Sequence, residues 1–211
     1  MSHPLIESRP LVDGTNATVI KNNFLLMTAL FAINHGCTVS CLDLANARLG
    51  SIGVWQSGIL YASYTLSALC GASYFVKQIG SRNGLILGMG LSASYVTSFF
   101  LVALIVEKNG GVGWLHQFVA VVSAIVGGFG MSILWVSQGG YFSSASQLFT
   151  SASLEARLED VSSRFGGNFA STLLFVEVIL RLLSSFLIET AGLSWKIIFG
   201  CIRYCLFFLS F

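Results

Sequence analysis

The sequence predicts an all-α membrane protein, a bundle of six transmembrane helices. Two observations carry that prediction. Hydrophobic residues make up 55% of the 211 residues and charged residues only 9%, against about 25% charged in an ordinary soluble domain. Eleven Lys+Arg and nine Asp+Glu are too few to give a globule the polar skin that water requires. The apolar residues are also gathered into long uninterrupted runs. At about 1.5 Å per residue, roughly 20 such residues cross a hydrocarbon core about 30 Å thick.

The amino-terminal stretch 1–22 is polar, contains acids and is broken by Pro4 and Pro10. It lacks the apolar segment of a signal peptide and reads as an exposed cytosolic tail. The transmembrane domain follows over 23–211. Residues 24–42, 54–76 and 84–106 each run without a charged side chain and form the first three spans. No charge occurs again over 109–154, which holds a fourth span at about 114–137 and then a polar, Ser-rich connection. The fifth span is 169–188, with Glu177 and Arg181 inside it, and the sixth is 193–211. Glycine-rich breakers at 50–53, 80–83, 110–113 and 166–168, and Gly192, separate the runs, and neither proline lies within one. A barrel would need short alternating strands, whereas these runs are continuous and rich in Leu, Ala and Gly.

Between the fourth and fifth spans, Leu154, Leu158, Val161 and Phe165 recur at helical spacing among Glu155, Arg157, Glu159, Asp160 and Arg164. One apolar stripe on a charged helix predicts an interfacial helix at about 153–165, lying on the cytosolic membrane surface. Orientation follows from the Lys/Arg bias of the connections. A cytosolic amino terminus places Arg9, Lys21, Lys77, Arg82, Arg157 and Arg164 inside, and Arg48, Lys108 and Lys196 outside. The sequon Asn16-Ala17-Thr18 is then expected to be unused. An endoglycosidase-sensitive mass shift that disappears in Asn16→Gln reverses the topology.

Composition also excludes functions. A net charge of +2, with scattered basic residues, provides no nucleic-acid footprint. The cysteines all fall in apolar stretches, and although Cys37/Cys41 and Cys201/Cys205 have i,i+4 spacing, no third ligand accompanies either pair. They read as small apolar filler, with no metal site. No hydrolase nucleophile motif, phosphate loop, HExxH or dinucleotide fingerprint is present, so neither an enzyme nor a cofactor is expected.

Polar groups at bilayer depth mark candidate functional positions, because they are costly unless they face a bundle interior or a water-filled cavity. Asn34 and His35 lie near the middle of the first span. They either hydrogen-bond between helices or line a cavity, and the ordinary titration of histidine near pH 6.5 makes proton coupling one use for His35. Gln138, in WVSQGGYF near the end of the fourth span, is the matching feature of the second group of three helices. The glycines before it, Gly127, Gly128 and Gly130, read as packing residues. Glu177 and Arg181 stand at i,i+4, so they either neutralise each other on one helical face or face the cavity and part during transport.

Several pieces together carry a resemblance. NNFLLMTALFAINHG, KQIGSRNGLILGMGLSASY, ILWVSQGGYFS and GNFASTLLFVEVILRLLSS are similar to the uncoordinated-93-like (Unc-93-like) proteins, a branch of the major facilitator superfamily. The similarity runs from about Asn22 to Ser185, and its most specific parts are Asn34-His35-Gly36, residues 135–141 and the Gly80-Ser81 turn. The superfamily's cytosolic hinge between helices two and three reads G-x-x-x-D-R-x-G-R-R. Gly80 and Arg82 of SYFVKQIGSRNG fit it, while Lys77 stands in place of the aspartate, a departure that argues against the usual gating clamp.

The resemblance implies two six-helix halves around a shared cavity, of which this chain supplies the N-terminal half. It predicts either a fragment of a twelve-helix protein or two copies that complete one cavity. The implied function is transport of a small solute, with Asn34, His35 and Gln138 lining the site. The alternative is a non-transporting regulatory subunit of an ion channel or a trafficking partner of a membrane receptor.

Overall fold

A computed structural model describes residues 14–48, 51–109, 114–153 and 157–190, with Ile197 and Gly200. All elements among these residues are helical: α1 (Gly14–Arg48), α2 (Ser51–Ser67), a π-helical segment (Ala68–Ala72), α3 (Ser73–Ile79), α4 (Ser81–Asn109), α5 (Trp114–Ala152) and α6 (Leu158–Glu189). The π segment joins α2 to α3 in one rod, bent where Gly71 leaves helical backbone angles. The rods Asn16–Ala47, Ser51–Ile79, Gln117–Ala152 and Leu158–Glu189 are each long and apolar enough to cross a membrane. α4 contains the third predicted span.

The turn between α3 and α4 is one residue deep. Gly80 adopts φ 83° and its N–H donates to the Val76 carbonyl at 2.9 Å, a conformation that glycine reaches without the steric cost of a Cβ. Lys77 and Arg82 flank it, both exposed.

Small residues set the packing. A Cβ on Gly88 of α4 would lie 2.8 Å from the Leu134 Cα of α5, one on Gly127 2.8 Å from the Tyr95 ring, and one on Gly128 2.8 Å from the Tyr64 nitrogen of α2. The backbones of α2, α4 and α5 therefore approach as closely as lipid-embedded helices do when glycine removes the side chain between them, as the packing reading of Gly127, Gly128 and Gly130 anticipates. α1 and α6 run parallel: Phe24 stacks on Phe165 at 4.3 Å, Phe31 meets Phe169 at 5.3 Å, and further along Gly36 lies against Glu177 and Leu180. Outward-facing Val54, Trp55, Leu69, Phe118, Leu174 and Phe175 are exposed, an apolar surface suited to lipid and not to water.

Two boundaries differ from the sequence expectation. The fourth span does not stop at 137; α5 continues through the Ser-rich stretch to Ala152. Hydroxyls there fold back onto their own helix, as Thr150 Oγ1 donates to the Ser146 carbonyl at 2.9 Å and Ser151 Oγ to that of Leu148 at 2.9 Å, so polarity does not break the helix. Residues 158–165, expected in a separate interfacial helix, are instead the first turns of α6. The stripe bears on protein: Val161 and Phe165 are buried, Phe165 between Phe24 and Phe149. Of the expected tail, 14–22 belongs to α1. Residues 1–13 and nearly all of the sixth predicted span, 193–211, lie outside the described residues.

Candidate functional site

The parallel packing of α1 on α6 brings ionisable side chains from both helices into one line. Glu177 accepts from Arg181 Nη2 at 2.8 Å within α6, the i,i+4 pair expected from the sequence. Both residues also reach across to α1. His35 Nδ1 lies 3.7 Å from the second Glu177 oxygen, and Arg181 Nε lies 3.3 Å from Asp43 Oδ2. The line therefore reads His35, Glu177, Arg181, Asp43. Its members grade from shielded to open, with side-chain exposures of 14%, 19%, 46% and 53%.

Local sequence explains the approach. Gly36 leaves room for α6: a Cβ there would lie 2.9 Å from Leu180 Cδ1 and 3.3 Å from Glu177 Cα. An aromatic collar fixes the imidazole. Phe31, one turn earlier on α1, stacks parallel to it at 6.1 Å, and Trp135 of α5 meets it edge-on at 5.4 Å. Trp135 also contacts Phe31 and Phe169. At the open end lies a cleft of about 260 Å³ whose lining includes Ser40, Asp43, Arg181, Ser184 and Glu189.

The other sequence-predicted residues lie apart from this line. Asn34 is fully buried, and neither its amide nitrogen nor its amide oxygen has a hydrogen-bond partner, although its backbone carbonyl accepts from Thr38 Oγ1 at 2.9 Å. Gln138 is buried on α5, one turn beyond Trp135. Lys77, Gly80 and Arg82 form the α3–α4 turn at the opposite end of the bundle. Asp43, Phe31 and Trp135 are the site residues that sequence reasoning misses. Asp43 stands immediately after the uncharged run, where it reads as the start of a loop, and the aromatic residues are indistinguishable from core in a chain with 13% aromatics.

A one-signed or unpaired cluster could not persist here. Charges at bilayer depth need partners, and each carboxylate of the line has the Arg181 guanidinium, whose planar fork serves two acceptors at once. Such a set can hold α1 to α6, exchange partners as the helices move, or take up a cation.

Among curated proteins, UNC93-like protein 3 of Arabidopsis thaliana matches 115 residues at 32% identity. Over that stretch the chain is similar to an Unc-93-like protein. The matched stretch is 54% of this chain but 21% of the relative, so the chain spans about a fifth of the length of the curated relative it matches. No family model and no solved structure matches it. With its apolar rods and this similarity, the chain is an integral membrane protein.

Proposed function

We propose that this chain is the N-terminal six-helix half of a major-facilitator-type carrier and that its α1/α6 face lines the path of a small solute. One observation carries the proposal: the Asp43–Arg181 pair is about half exposed beside a polar cleft, on helices that elsewhere expose large apolar side chains such as Leu174, Phe175 and Leu182. Lipid is a poor neighbour for that pair, and a water-filled cavity facing a second helical unit is a good one. His35, Glu177 and Arg181 then bound the cavity, with Asn34 and Gln138 behind them. The unit that closes the path is a second half or a second copy, and the amino terminus is cytosolic. The exposed apolar flank of α6, Leu174, Phe175, Val178 and Leu182, also suits a helix of a channel or receptor, which keeps the regulatory reading as the alternative.

Two measurements test the carrier. In a cysteine-free chain, Ser184→Cys is expected to react with a membrane-impermeant charged thiol reagent, while Leu182→Cys, on the apolar flank, stays unlabelled. Protection of Ser184→Cys puts the cleft in lipid and ends the proposal. Proteoliposomes are then expected to accumulate at least one solute from a labelled panel of amino acids, sugars and nucleosides, with uptake falling at least tenfold in His35→Ala. Stoichiometric co-purification with a channel or receptor, and no uptake by the wild type, favours the alternative.

A further inference from the structure

The line of ionisable groups does not balance. Asp43 and Glu177 contribute two carboxylates and Arg181 a single guanidinium, leaving one negative charge in excess when the imidazole is neutral. The excess sits where His35 Nδ1 faces the free Glu177 oxygen. At 3.7 Å this contact is too long for a hydrogen bond, and the imidazole nitrogen is buried with no hydrogen-bond partner. Among the described residues, the charged groups facing His35 are Glu177 and Arg181 from α6, with Asp43 completing the cluster from its own helix, and Trp135 faces it from α5.

We infer that His35 and Glu177 form a proton-binding site at the α1/α6 interface. A proton taken from water onto Nδ1 turns the 3.7 Å contact into a charge-assisted hydrogen bond, which contracts to about 2.8 Å, and brings the cluster to neutrality. The site draws α6 onto α1 when occupied and loosens it when empty. Gly36 favours the contraction, because α1 contributes no side chain against Glu177 and Leu180 at that level. A metal cation fits poorly. Hard cations gather six or more oxygens, whereas one Glu177 oxygen is engaged by Arg181 and the other is opposed by a nitrogen. The cleft lined by Asp43 and Arg181 opens one helical turn from Glu177 on α6. Use of this proton as a coupling ion rests on the carrier reading; the binding site does not, so the experiment reads the proton itself.

Trp135 is a built-in reporter, because an imidazolium quenches the fluorescence of an indole it touches far more than a neutral imidazole does. The full chain in detergent is expected to show a quench as the pH falls from about 8 to 5, the range in which histidine titrates. That component is lost in Trp135→Phe and in His35→Gln. Glu177→Gln removes the counter-charge and is expected to lower the midpoint by about one pH unit, a tenfold loss of proton affinity. Exchanging sodium chloride for choline chloride at constant ionic strength leaves the midpoint in place. Absence of the quench in the wild type, its survival in His35→Gln, or an unmoved midpoint in Glu177→Gln overturns the site, and the last of these decides even where His35→Gln does not fold. A midpoint lowered by sodium assigns the pocket to a metal cation and equally overturns it. A chain that titrates as stated and moves no solute keeps the proton site and loses only the carrier.

Discussion

Replacing Arg181 by glutamine is expected to destabilise the bundle by roughly 2–4 kcal/mol, the cost of leaving a charge unpaired at bilayer depth or in a protein interior. Among the described residues, the guanidinium is the one cation that touches both Glu177, 19% exposed, and Asp43. Its loss leaves two carboxylates facing each other across α1 and α6. Lysine at the same position keeps the charge but offers no planar fork to two acceptors, so Arg181→Lys restores only part of the loss. The decisive comparison is a double-mutant cycle read from thermal melts in detergent. Glu177→Gln introduced into Arg181→Gln is expected to recover more than half of the deficit, because it removes the stranded charge. Wild-type stability in Arg181→Gln alone refutes a structural role for the line.

Gly88→Ala and Gly128→Ala form the second prediction, each expected to cost about 1–3 kcal/mol through overpacking. The added carbon meets backbone in both cases: the Leu134 Cα and nitrogen for Gly88, the Leu60 carbonyl and the Tyr64 nitrogen for Gly128. A rotamer change cannot relieve such a contact; a whole rod has to move. Gly58→Ala and Gly90→Ala are the controls, since nothing lies within 4 Å of a Cβ at either position. There the better helix propensity of alanine, up to about 1 kcal/mol, is expected to leave the melting temperature unchanged or raised. Equal behaviour of the two pairs of variants removes glycine seams as the basis of α2–α5 and α4–α5 packing.

Several parts of this molecule are legible residue by residue. Glu177 and Arg181 announce their pairing because i,i+4 neighbours on a helix meet whatever surrounds them. His35 stands out because an ionisable group deep in an apolar run has few tolerable surroundings. Asp43 does not stand out, since one position beyond the run it looks like the first residue of a loop; it joins the site because α1 continues to Arg48. Asn34 and His35 are adjacent and invite one reading, yet they meet different fates. Successive residues on a helix point about 100° apart, so His35 reaches α6 while Asn34 is fully enclosed with its amide unpartnered. The stripe through Val161 and Phe165 is correct as a pattern and ambiguous as to what it covers, and α1 takes the place that the membrane surface was expected to fill.

The sequence by itself determined the solvent and the helical class. Those depend on summed hydropathy over contiguous residues and on the need of a backbone in lipid to satisfy its own hydrogen bonds. Only the tertiary structure decided which rods touch, how each is rotated about its axis, and therefore that His35 and Asp43 of one helix share a line of charge with Glu177 and Arg181 of another. Contacts between distant residues follow from the fit of one helix surface to another, here from where glycine lets backbones close, and no local pattern of apolar and polar residues specifies that fit.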